Sequence, residues 1–186
     1  MNNHWDKNLN VKNLLGQFKP ERIVECGAGS GENTIQYLDA GYVLTSISDG
    51  EIPEKLKSFI EKGQLKWIFG ISYVELAKFE DGSIDFCSID TDHNYWTLKR
   101  ELDVLKKKLT ANGIVVIHDT ETYRRNSGSM DGYKCGLPYP AEIKDAEKKG
   151  KNYGDAISEA LLSGDFYVLA ECLESNGATA LMRRVK

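Results

Sequence analysis

The segment from Arg22 to Thr34, Arg-Ile-Val-Glu-Cys-Gly-Ala-Gly-Ser-Gly-Glu-Asn-Thr, constrains the architecture of this chain more than any other. Ile23 and Val24 form a short β-branched run that reads as a buried strand, and a helical pattern begins at Glu32. Between them stand Gly27, Gly29 and Gly31, so a strand enters a glycine turn and leaves as a helix. Alternating glycines suit a backbone that bends tightly and keeps side chains away from a ligand, while the helix N-terminus behind offers free N–H groups. Glu25, at the end of the strand, is placed to accept a hydrogen bond from a ligand amine or hydroxyl.

Two cofactor classes use such a turn. The dinucleotide fingerprint G-x-G-x-x-G/A calls for a small residue at position 32, where this chain has Glu32, so an NAD-dependent oxidoreductase is disfavoured. Read from Glu25, the segment is E-x-G-x-G-x-G. It resembles motif I of the class I S-adenosylmethionine-dependent methyltransferases. That resemblance implies a cofactor cradle built from Glu25, Gly27, Ala28, Gly29, Gly31, Asn33 and Thr34. The competing reading is an ordinary tight turn.

Further along, strands and helices alternate. Residues 9–18 carry Leu9, Val11, Leu14, Leu15 and Phe18 at helical spacing, and residues 42–47, 65–69, 84–89 and 114–117 read as strands two to five, the fifth after a turn at Gly113. Gly41 and Gly63 are expected helix stops, and Pro53 an expected helix start. Alternation in this order implies a doubly wound, mostly parallel α/β sheet with helices on both faces, whose ligand loops gather at the carboxyl ends of the strands. Asp49-Gly50 ends the second strand, about 20 positions past the glycine turn, where an acid commonly grips a ribose; an Asp-Gly turn is the plain alternative. After the third strand, Ser72-Tyr-Val-Glu75 reads as a capping box. The methyltransferase pattern puts adenine contacts there, and with Ile71 at the usual acidic position they fall to Ser72 or the backbone.

The fourth strand delivers Asp90-Thr91-Asp92-His93-Asn94-Tyr95 and the fifth delivers His118-Asp119-Thr120. Two acid-plus-histidine pairs thus end neighbouring strands on the side of the glycine turn. Carboxylates with an imidazole hold a hard divalent ion, which lowers the pKa of a substrate hydroxyl while a neutral histidine takes its proton. Capping of the next helix by Asp92 or Asn94 is the alternative for the first pair. Asp90-x-x-His93-x-Tyr95 followed by Ile117-His118-Asp119 resembles the paired signature of a methyltransferase family that includes the macrocin O-methyltransferase and cephalosporin hydroxylase groups. The resemblance implies Asp90 and Asp119 as metal ligands, His118 as a third ligand, His93 as general base, with Asp90 and His118 also catalytic and Asp90 also touching the cofactor.

Residues beyond Thr120 lose regularity, and Tyr123, Arg124, Arg125, Tyr133 and Tyr139 lie in an insertion that reads as a substrate lid. Residues 166–172 and 178–184, joined through Asn176-Gly177, read as a hairpin. A closing antiparallel hairpin completes the seven-stranded, Rossmann-like sheet that the resemblance implies. At 186 residues and 41% hydrophobic, the chain is expected to form one domain over 1–186.

A net charge of −4 gives no broad electrostatic reason to bind nucleic acid. The run Lys99-Arg100 to Lys106-Lys107-Lys108 flanks an apolar stripe of Leu98, Leu102, Leu105 and Leu109 and reads as a solvated helix face. Four cysteines without C-x-x-C spacing, and no signal or membrane-span pattern, lead to an expectation of reduced thiols in a cytoplasmic protein. The function expected is S-adenosylmethionine-dependent O-methylation of a small hydroxylated acceptor, assisted by Mg²⁺ or another divalent metal. A metal-dependent hydroxylase-like enzyme and a non-catalytic nucleoside-binding module are the alternatives. Oligomeric state is not legible.

Overall fold

Strand β1 (Ile23–Cys26) is buried along its whole length. It sits between two parallel neighbours, β2 (Leu44–Ser48) and β4 (Ile84–Ile89). The computed structural model of the protein describes residues 11–120, 151–172 and 177–184. Its sheet has seven strands in the order β3-β2-β1-β4-β5-β7-β6, with β3 at Leu65–Phe69, β5 at Leu109–His118, β6 at Phe166–Cys172 and β7 at Ala178–Arg183. The first five strands run parallel, and β7 pairs antiparallel with both β5 and β6. This is the doubly wound α/β sheet with a terminal antiparallel hairpin that the sequence predicts. The strand order reverses between β1 and β4, the crevice at which open α/β sheets take ligands.

Strand alternation divides the core in two. Val24, Cys26, Cys87, Ile89, Val115 and Ile117 face α4 (Ser72–Leu76), α5 (Tyr95–Lys108) and α6 (Tyr153–Leu162). Ile23, Phe86, Ile114 and Val116 face α1 (Val11–Phe18), α2 (Glu32–Asp39) and α3 (Lys57–Glu61), the last preceded by a 3-10 turn at Glu54–Leu56. Leu98, Leu102 and Leu105 of α5 are fully or almost fully buried. Each contributes about 1.5–3 kcal/mol relative to exposure, which makes α5 the anchor of its layer. Asn94 caps α5 by accepting a hydrogen bond from Thr97 N at 2.9 Å. Tyr95 ties α6 to α5 by donating to Glu159 at 2.9 Å, and Asn152 with Asp155 forms a reciprocal capping box on α6.

Three local expectations are corrected. Ser72 and Glu75 form no capping box: Ile71 takes the extended cap position and Ser72 becomes the first helical residue. The Ser72 hydroxyl then donates to Glu101, and Glu75 pairs with Lys78. The turn expected at Gly113 lies inside β5 instead, where Asn112 takes a positive φ (65°) that asparagine tolerates. The strand there starts at Leu109, with a register shift opposite Ile84 and Phe86. Glu32 does not crowd the helix–strand contact. It is turned outward onto Lys55, so what opposes a pyrophosphate at this turn is its negative charge in the first turn of α2. Among the described residues no helix is long and apolar enough to cross a membrane. Leu9, Cys135 and the expected lid tyrosines and arginines lie outside the described residues.

Candidate active site

The loop after β1 holds Gly27, Gly29 and Gly31 at φ of 85°, 50° and 83°, and each glycine has a different reason to be there. A Cβ on Gly27 would lie 2.0 Å from the Asp90 carbonyl oxygen, so Gly27 lets the loop rest on the end of β4. A Cβ on Gly31 would lie 2.9 Å from Leu56. Gly29 faces open space, and of the three it is the one whose bareness serves no internal contact. The loop is pinned at its base by Gly27 N donating to Ile47 O and Asp90 N donating to Cys26 O, both at 2.9 Å.

Glu25 is buried beneath this loop. Its Oε2 accepts from Thr34 Oγ1 at 2.7 Å and Ser46 Oγ at 2.8 Å. Its Oε1 is buried with no partner. Burial pushes the Glu25 carboxyl up to about 7 against the pull of the two hydroxyls. A folded-state pKa above the unfolded value means that stability is fullest below about 4.5 and falls as pH rises toward 7. Glu25→Gln removes this dependence. Urea unfolding near pH 4.5 and near pH 8 is expected to shift the stability difference in the variant's favour by on the order of 2–3 kcal/mol as pH rises. Parallel pH profiles for the two proteins would show that the carboxyl ionises normally in the fold.

The ends of β4 and β5 supply the second half of the site. Nε2 of His93 lies 3.1 Å from Asp90 Oδ1 and 3.1 Å from Asp119 Oδ2. These three residues can present ligand atoms within 4.8 Å of one another, close enough to hold a metal ion. His93 and Asp119 both sit at positive φ (48° and 57°), strain that persists only where the surroundings hold it. Burial draws the His93 pKa down, but Asp119 and Asp90 together outweigh it and raise it to about 9. The ring of Tyr153, fully buried on α6, meets His93 edge-on at 5.8 Å. Asp90 joins the two halves, since its Oδ2 accepts from Asn33 Nδ2 of α2 at 3.3 Å.

His118 is not with this group. Positions 114, 116 and 118 of β5 share the α2 face of the sheet, and the His118 ring lies 3.1 Å from Ser88 Oγ there. Asp119, one residue on, turns back to His93. The histidine at the carboxylates is therefore the one expected as base, not the one expected as third ligand. Asp92 accepts from Thr97 Oγ1 at 3.0 Å, which gives it a helix-start role. Asp49 is half-buried after β2 and Gly50 is exposed, its N–H donating to Ser48 Oγ at 3.4 Å. Ala28 is buried in the turn. Ser72 is buried with its hydroxyl committed to Glu101.

Two residues of the site escaped the sequence reading. Tyr153 reaches His93 from a helix far along the chain, with no local signal. Glu101 had one: it stands three residues after Leu98, inside the buried stripe of α5, where an acid is out of pattern.

No curated protein matches the sequence. Solved structures share the fold. One is a Staphylococcus aureus protein assigned as a caffeoyl-CoA O-methyltransferase, with 15% identity over 94% of this chain and 81% of that one and a TM-score of 0.68. A Klebsiella pneumoniae protein assigned as an O-methyltransferase has 13% identity over 95% and 79%, with a TM-score of 0.64. A SAM-dependent methyltransferase from Methanosarcina mazei has 13% identity over 93% and 98%, with a TM-score of 0.57. A family model described as a methyltransferase domain matches residues 24–120, from the first strand through Thr120, and by that match this chain belongs to the methyltransferase-domain family.

Proposed function

We propose that the protein transfers a methyl group from S-adenosylmethionine to a hydroxyl of a small acceptor, with a divalent cation at Asp90 and Asp119 and His93 beside it as base. The observation that carries this reading is the double engagement of Asp90, which meets Asn33 of the glycine-loop helix through one oxygen and His93 through the other. One carboxylate thus couples the loop that would receive a nucleoside to the group that would receive an ion. The residues fit the cofactor: Gly29 leaves open space in front of the loop, and Glu25 keeps a buried acceptor unpaired. Solved relatives assigned as O-methyltransferases support oxygen as the acceptor atom.

S-adenosylmethionine, when bound, supplies an electrophilic methyl on a sulfonium, and a divalent ion supplies Lewis acidity that lowers the pKa of a hydroxyl. The chain's own groups do the rest. Glu25, Gly29 and Asn33 orient the donor, and Asp49 is placed after β2 for a ribose. Asp90 and Asp119 hold the cation. His93 takes the acceptor's proton. Asp119 and Asp90 raise its pKa, and a cation that engaged their charge would let burial return the ring toward the neutral form. The remaining contribution is alignment for an in-line displacement. The reversed alternative, an oxygenase centre with two histidines and one carboxylate, is less well matched, because His118 turns to Ser88.

Calorimetry of the purified protein with S-adenosylhomocysteine and with NAD, each with and without Mg²⁺, tests the reading. Binding of S-adenosylhomocysteine and not NAD is the expected result. Preference for NAD, or binding of neither, would overturn it.

A further inference from the structure

We infer that Glu101 is a positioning residue for the cofactor, fastening the loops after β3 and β4 to each other through Ser72 and Thr91. This rests on the methyl-transfer reading above and adds to it a residue that touches neither cofactor nor acceptor. Glu101 belongs to the stripe Leu98, Leu102, Leu105 on the buried side of α5 and is itself fully buried. A carboxyl in such a place costs free energy unless its oxygens are satisfied. Both are satisfied by hydroxyls outside α5: Oε1 accepts from Ser72, the first residue of α4 where the short loop after β3 ends, and Oε2 from Thr91 Oγ1 at 3.4 Å, just after Asp90. Those loops belong to strands on either side of β1 in the sheet order, so the clamp spans the glycine turn from beneath. Thr91 is bonded in sequence to Asp90, whose carbonyl is the backbone that Gly27 rests on. A slack Thr91 would therefore loosen the seat of the glycine loop as well as Ser72. Burial pushes the Glu101 carboxyl up to about 8 against the same two hydroxyls, consistent with a group kept for its hydrogen bonds and not for its charge.

The test compares Glu101→Leu, Glu101→Gln and Thr91→Val. Leucine continues the apolar stripe and removes a buried carboxyl but leaves the Ser72 and Thr91 hydroxyls without their acceptor, so Glu101→Leu is expected to fold with a thermal midpoint near that of the wild type. It is also expected to weaken S-adenosylhomocysteine binding by about tenfold, as loss of two ordering hydrogen bonds allows. The KM for S-adenosylmethionine should rise in parallel while kcat at saturation changes less than about threefold. Glutamine keeps one acceptor and supplies a donor to a hydroxyl that can turn round, so Glu101→Gln should bind within about threefold of wild type. Thr91→Val removes half of the clamp without touching α5 and should weaken binding by a few-fold, which keeps the test open if Glu101→Leu fails to fold. Wild-type affinity in folded Glu101→Leu, or in Thr91→Val, would overturn this inference and leave the methyl-transfer reading standing. A wild-type protein that does not bind S-adenosylhomocysteine would overturn both.

Discussion

Asp119→Ala is expected to lower methyl transfer by about three orders of magnitude and to abolish its response to added Mg²⁺, while S-adenosylhomocysteine binds within a few-fold of wild type. The asymmetry follows from position. Asp119 Oδ2 meets His93 and lies beyond the carboxyl end of β5, on the far side of β4 from the glycine turn. Asp90 differs, since it also accepts from Asn33, and Asp90→Ala should weaken cofactor and cation together. His93→Ala separates base from ligand. A base is lost with turnover while the cation still binds, whereas a ligand is lost with both. Cation titration by calorimetry and turnover in a chelator decide these cases. Turnover of Asp119→Ala at the wild-type rate, or chelator-resistant turnover of the wild type, would remove the cation from the mechanism.

Much of this arrangement was legible in the residues, and the exceptions have physical causes. The strand, glycine turn and helix at Ile23 to Asp39 could be read because β-branched burial, positive-φ glycines and helical spacing all act locally. That Asp90 and Asp119 come together could be read because each follows a strand end on the side of the glycine turn. Which histidine joins them could not. The phase of alternation at the last residue of β5 decides that, and a shift of one residue sends a side chain to the other face. At Ser72 the local rule gave way to a tertiary one. A capping box gains about 1 kcal/mol, and here the hydroxyl instead satisfies a buried carboxyl on another helix, where an unpaired partner would cost more. Glu101 was hidden by being read as part of a charged helix, although its spacing from Leu98 placed it on the buried stripe. Tyr153 had no local signal, since its contact with His93 joins segments that only the fold brings together.

Gly29→Val should weaken S-adenosylhomocysteine binding by roughly two orders of magnitude with a modest loss of stability. Of the three loop glycines, only this one separates fold from binding. At Gly27 an added Cβ meets backbone at 2.0 Å, so substitution there dislodges β4, and lost binding would say nothing of the ligand. At Gly31 it meets Leu56, a side chain of the core. At Gly29 nothing lies within 4 Å, and the cost to the fold is that of a β-branched residue at a φ of 50°, about 1–2 kcal/mol. The space a valine would fill there is the space a nucleoside needs if the loop is its cradle. Gly29→Ala gives the graded control, with less backbone strain and a smaller obstruction, and should fall between wild type and Gly29→Val. Folded Gly29→Val that binds S-adenosylhomocysteine as tightly as wild type would move the cofactor off this loop, and the role of Asp90 as the joint between cofactor and cation would go with it.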